Sequence, residues 1–365
     1  MRRRTLLTAA ALAPVSLGTM SRGAGAQTLT KMTIATGVDP AFSQLYVAKE
    51  SGIFEKNGLD VTINTGPSGS AMIPFLVNNQ VNAAYGSDLA GVINHQVDPN
   101  IVAVADGTYL VKWLSVIGKN VPDLEALKGK KVGIAMGTGS EIFWRRVVEK
   151  HGLKVADFTM VNVEAPEMLA AIERGDIDGF AVWEPWPTRT LMAVKGTKVL
   201  QTAEGIYNNV NFIYMNRGWI EKNKTTAEKF MLSLMQANDM IEKDRPAAAR
   251  LVAKFLKMPL ELATELMPKV EFDMDWQPRS IEAIQVSEKQ LADQKKLKAP
   301  LDYSKYVYMD LVKAVRPENV KVTALPKSLS NSLPRLVRTG DITHTCAGTS
   351  PTCFEPYFWL ERGVG

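Results

Sequence analysis

Val61-Thr62-Ile63-Asn64-Thr65-Gly66-Pro67-Ser68-Gly69-Ser70 and, further along, Val132-Gly133-Ile134-Ala135-Met136-Gly137-Thr138-Gly139-Ser140 are built alike. In each, a β-branched apolar run enters a loop of glycines and hydroxyl residues, and a helical stretch follows. Glycine lets the backbone turn tightly and approach a neighbour closely, while serine or threonine caps the helix that comes next. Strand, loop and helix in this order are the unit of α/β architecture with largely parallel sheets. Working outward, strands are predicted at 32–35, 60–65, 83–85 and 101–105, with helices at 42–52 and 72–77 and Gly52 closing the first of them. A second set follows, with strands at 131–135, 159–163 and 179–183 and helices at 142–150 and 166–174. A further strand is expected at 211–215, and 225–315 reads as predominantly helical.

Length points to two lobes. Arg2, Arg3 and Arg4 precede an apolar run over 6–17 and the small residues Ala24, Gly25 and Ala26, the order of a secretory signal peptide cleaved after about Ala26. Arg2 and Arg3 also loosely fit a twin-arginine signal, and the ordinary export route is favoured over it. About 340 residues then remain, more than one hydrophobic core usually serves. The predicted topology is lobe 1 over 31–108 and 206–324, lobe 2 over 109–205, and a hinge made by two crossovers. Without the signal's four arginines the formal charge of +5 falls close to neutral, and the cations are scattered, which argues against nucleic acid as a partner. Lys295, Lys296 and Lys298 are read as a solvated helix end.

A helix amino terminus offers free N–H groups and a partial positive charge, so both glycine-hydroxyl loops are candidate anion sites. Taken singly, each reads as a capped strand-to-helix turn before a ligand site, and their pairing reverses that preference. Their occurrence in separate lobes suggests that Ser68, Gly69 and Ser70 on one side and Gly137, Thr138, Gly139 and Ser140 on the other grip one small anion. Ligands of open α/β sheets sit beyond the carboxyl ends of strands, which adds 37–42 with Phe42, 86–88 with Ser87 and Asp88, and Trp183 with Glu184. Neither loop continues as a dinucleotide fingerprint or a phosphate-binding Gly-Lys-Ser/Thr, so nucleotide chemistry is excluded.

Tyr46-Val47-Ala48, Glu50-Ser51-Gly52-Ile53-Phe54 and Gly58-Leu59-Asp60-Val61 resemble the opening signature of the nitrate, sulfonate and taurine substrate-binding family. The stretch from Leu169 through Arg174-Gly175-Asp176-Ile177-Asp178-Gly179, followed by Trp183-Glu184-Pro185, is similar to its second-lobe signature. The resemblance runs from about Lys31 to Ala324. It implies a two-lobed periplasmic binding protein type II fold, a monomer with a ligand cleft between lobes, a small anionic ligand, and a membrane permease and ATPase of an ABC importer as partners. It also matches Ser70 with the first-lobe anion loop and Thr138, Gly139 and Ser140 with the second. Trp183 could shield the ligand or pack as core, and Glu184 could pair with an ammonium group or cap the helix after Pro185. Trp113 and Asn211 are read as hinge packing.

Enzymes also occur on this fold, among them a sulfinate desulfinase and pyrimidine-synthesising proteins. This sequence presents no Cys-His nucleophile pair, metal-spaced cluster or serine triad, so no cofactor, metal or catalytic residue is expected. A thiamine-pyrimidine precursor or an aromatic carboxylate is the alternative ligand. His151 ends a helix and is read as structural. The tail over 325–365 departs from the family pattern, and export favours a disulfide between Cys346 and Cys353.

Overall fold

The computed structural model describes residues 28–327. The signal segment, His344, Cys346 and Cys353 lie outside the described residues. Eleven strands form two sheets among the described residues. They are β1 (Thr30–Thr36), β2 (Leu59–Thr65), β3 (Ala83–Ser87), β4 (Ile101–Leu110), β5 (Leu114–Lys119), β6 (Lys131–Ile134), β7 (Thr159–Asn162), β8 (Gly179–Trp183), β9 (Thr197–Thr202), β10 (Asn209–Asn216) and β11 (Glu271–Asp275). The first sheet has the order β11-β4-β10-β3-β1-β2 and the second β7-β6-β8-β5-β9.

A parallel trio forms one end of each sheet. In the first, β1 pairs in parallel with β2 and β3, and in the second β6 pairs in parallel with β7 and β8. One antiparallel strand flanks each trio, β10 beside β3 and β5 beside β8. Burial on both faces explains why β3 and β8 are buried throughout, as Ala83–Ser87 and Gly179–Trp183, with no polar alternation. The chain leaves the first sheet through 111–113 and returns through 203–208.

The repeat also shows that the two glycine-hydroxyl loops, alike in sequence, are not equivalent in the fold. Ser68 to Ser70 follow the edge strand β2, whereas Gly137 to Ser140 follow the central strand β6. The counterpart of the second loop is the segment after β1, which contains Asp39 and Phe42.

The stretch over 225–315 is helical as expected, with helices Lys224–Lys243, Arg245–Leu256, Leu260–Leu266 and Pro278–Asp293, but β11 interrupts it. Three strands escape the sequence reading. Glu271–Asp275 carries two aspartates and a glutamate, poor strand formers, and holds its place through buried Phe272 and Met274. Thr197–Thr202 is an edge strand without fully buried residues, and Leu114–Lys119 lies directly after a crossover. The helix Lys224–Lys243 packs on Ser43–Glu50 and against β11, so the carboxyl-terminal helices build onto the first sheet. In that core Trp276 donates its indole N–H to Val104 O at 3.1 Å and lies 5.7 Å from the Phe212 ring.

Candidate functional site

A cavity lies where the two sheets and the outgoing crossover meet. From the first sheet come Asp39, Phe42, Ser68, Gly69, Ser70, Ser87 and Leu110; Gly139 and Trp183 come from the second. Trp113 from the outgoing crossover and Asn209 and Asn211 from the returning strand complete it. It is narrow, walled on opposite sides by Phe42 and Ser70 and by Gly139 and Trp183. Trp113 and Asn211, read from sequence as hinge packing, therefore face the cavity, Trp113 from the outgoing crossover and Asn211 from β10 directly after the returning one.

Close backbone approach builds the first wall. Gly69 begins the helix Gly69–Val77, and a Cβ there would lie 2.2 Å from Tyr85 O and 2.8 Å from the Phe42 ring, so only glycine lets the helix start sit on β3. Ser68 caps that helix by accepting from Ala71 N at 3.1 Å, while the first-turn N–H groups of Gly69 and Ser70 have no partner within the helix. The Ser70 and Ser87 hydroxyls are 2.9 Å apart and both line the cavity.

The second wall differs in how its polar groups are used. Thr138 caps the helix Gly139–Lys150, accepting from Ser140 N at 3.1 Å and donating to Ala135 O at 2.8 Å. Ser140 donates to Ala181 O and accepts from Ala135 N at 3.2 Å. Of the loop's four expected residues only Gly139 lines the cavity, and a Cβ on it would lie 2.9 Å from the Asn209 carboxamide. Thr138 and Ser140 brace the turn, and Gly137 takes a left-handed φ of +73°.

Asp88 and Glu184 also stand behind the wall. Asp88 accepts from Leu89 N at 2.8 Å, from Tyr207 Oη at 3.2 Å and from Asn209 Nδ2 at 3.1 Å, tying the returning crossover to the helix Asp88–His95. Burial lifts its carboxyl from 3.8 to about 7 against these donors. Glu184 accepts from Thr188 N at 3.2 Å and pairs with Lys269 at 2.9 Å, so it caps the helix after Pro185 and also reaches the first sheet's helical cap.

Asp39 was not singled out from sequence. It caps a short 3-10 turn, accepting from Ala41 N at 3.0 Å, and the polar edge of the Trp183 indole lies close enough to favour its charged form. Burial raises its carboxyl from 3.8 to about 7, and the two donors only partly oppose that rise. The Asp39-Pro40 pair is a turn-start signal that marked the position but not the direction of its side chain. Asn209 and Leu110 carried no motif.

A cleft between two sheets that each end in a parallel trio, bridged by two short crossovers and lined by helix starts, is the architecture of periplasmic binding proteins. The profile of the NMT1-like family matches residues 25–257, and the chain belongs to that family. It is 22% identical over 220 residues to a putative aliphatic sulfonates-binding protein of Escherichia coli, covering 59% of this chain and 69% of that one. In fold it is similar to the periplasmic aliphatic sulphonate binding protein SsuA from Escherichia coli, with a TM-score of 0.66 at 18% identity over 77% of this chain and 98% of that one. The desulfurization enzyme DSZB shares the fold at a TM-score of 0.62 and 12% identity, over 79% of this chain and 99% of that one.

Proposed function

We propose that this chain is the exported solute-binding component of an ABC importer, holding a small solute between its two sheets and presenting it to a membrane permease and its ATPase. The two sheets act as lobes, 31–108 with 206–324 and 109–205, that hinge about 111–113 and 203–208. One observation carries the reading: the cavity takes residues from both sheets and from the outgoing crossover, so a solute there contacts both bodies that a hinge would move. Ser68, Ser70, Ser87 and the free N–H groups at the start of the helix Gly69–Val77 supply neutral donors for the solute's anionic group.

The relatives that bind sulfonates support a transport role over the enzyme alternative. A melting screen with taurine, isethionate, nitrate, bicarbonate and 4-aminopyrimidine tests the proposal. A compound that binds only the folded chain raises its stability by about 2.7 kcal/mol at a hundredfold excess over Kd. No shift with any of them, or turnover of one that binds, contradicts it.

A further inference from the structure

Asp39 is the one titratable side chain among the residues lining the cavity. It is 4% exposed, and its carboxyl has more acceptor positions than the Ala41 N–H fills. No lysine, arginine or histidine stands beside it in the lining. A plain oxyanion in the same cavity would therefore face the ionised carboxyl with no cation to offset the repulsion, which strengthens as water is excluded. A nitrogen donor reverses the sign of that interaction. Phe42, Trp113 and Trp183 add aromatic faces, which attract a cation or stack on a planar ring.

We propose that Asp39 is the specificity-determining acid of the cleft and selects a solute that presents a nitrogen hydrogen-bond donor, an ammonium or a ring amino group, over a plain oxyanion. The assignment rests on the solute-binding reading above. Asp39 is also placed to ionise on binding: Tyr46 and Tyr85, the titratable groups that interact with it from the neighbouring helix and strand, are held by burial well above 10 and stay neutral.

Calorimetric titration of the full chain with two matched pairs, taurine against isethionate and 4-aminopyrimidine against pyrimidine, distinguishes an aliphatic ammonium from a ring amino group. In one pair the nitrogen-bearing member is expected to bind about tenfold or more tightly. Its affinity rises between about pH 6 and 8, as Asp39 ionises to meet the donor. Asp39→Asn erases the preference. If that variant does not fold, the wild-type preference and its pH slope decide alone.

Equal or tighter binding of the nitrogen-free member in both pairs, or a preference that survives in Asp39→Asn, overturns the assignment. Binding of isethionate, nitrate or bicarbonate without any preference for nitrogen overturns it and leaves the solute-binding reading standing. No heat and no melting shift with any of these compounds overturns that reading, and this assignment with it.

Discussion

Lys269 Nζ lies 2.9 Å from Glu184 Oε1, joining the segment before β11 in the first sheet to the end of β8 in the second. The Glu184 side chain is 6% exposed and that of Lys269 28%, so the pair is screened less than a surface ion pair. Lys269→Met leaves a buried carboxylate without its cation, an unfavourable change wherever the sheets are drawn together. The expected outcome is solute affinity reduced about tenfold, read by calorimetry. Unchanged affinity would show that the ion pair does not hold the sheets together.

Gly139→Ala tests the contact between the sheets at the cavity itself. Its Cβ would lie 2.9 Å from the Asn209 carboxamide, and Asn209 is tethered to Asp88 at 3.1 Å, so it cannot swing away freely. Affinity should fall about tenfold while the melting temperature of the solute-free chain stays within a few degrees of wild type. A large loss of melting temperature instead would place the strain within one lobe.

Ser70→Ala and Thr138→Ala separate binding from bracing. Ser70 loses a cavity hydroxyl, so solute affinity drops by about 0.5 to 1.5 kcal/mol, and stability changes little. Thr138 loses a helix cap and a bond to Ala135 O, so stability falls by about 1 kcal/mol in urea unfolding. Any affinity change in Thr138→Ala is then secondary to that loss.

The buried acids set a pH dependence of stability. Asp39 and Asp88 both rise from 3.8 to about 7 on folding. The native state therefore keeps two protons that the unfolded chain releases, and the stability present below pH 3.8 is lost as pH rises toward 7. Each acid accounts for roughly 3 kcal/mol between about pH 5 and 8. Urea unfolding of Asp39→Asn should show a shallower decline over that range than wild type, and an equal decline would remove Asp39 from the pH response.

Much of the architecture was legible because it rests on local patterns. The β-branched runs at β1, β2, β6 and β8, and the capping residues Ser68 and Thr138, carry their structure in a few adjacent residues. What stayed hidden depends on distant partners. Glu271–Asp275 is a strand only because β4 and the core beneath it accept Phe272 and Met274. The same reason hid the role of Asp39, which shares the cavity with Trp183 from the other sheet. It also led Thr138 and Ser140 to be read as ligand groups: a capping hydroxyl and a binding hydroxyl look alike until the acceptors Ala135 O and Ala181 O are known.

Calorimetric titration of wild type and Ser70→Leu with taurine, isethionate, nitrate, bicarbonate and 4-aminopyrimidine tests the binding site most directly. Leucine at 70 replaces a cavity hydroxyl beside Ser87 with a larger apolar side chain. The expected result is one-to-one binding of at least one compound by wild type, weakened about a hundredfold or more in Ser70→Leu with the melting temperature nearly unchanged. Equal affinity in the two proteins, or silence from wild type across all five compounds, would contradict a solute site between the sheets.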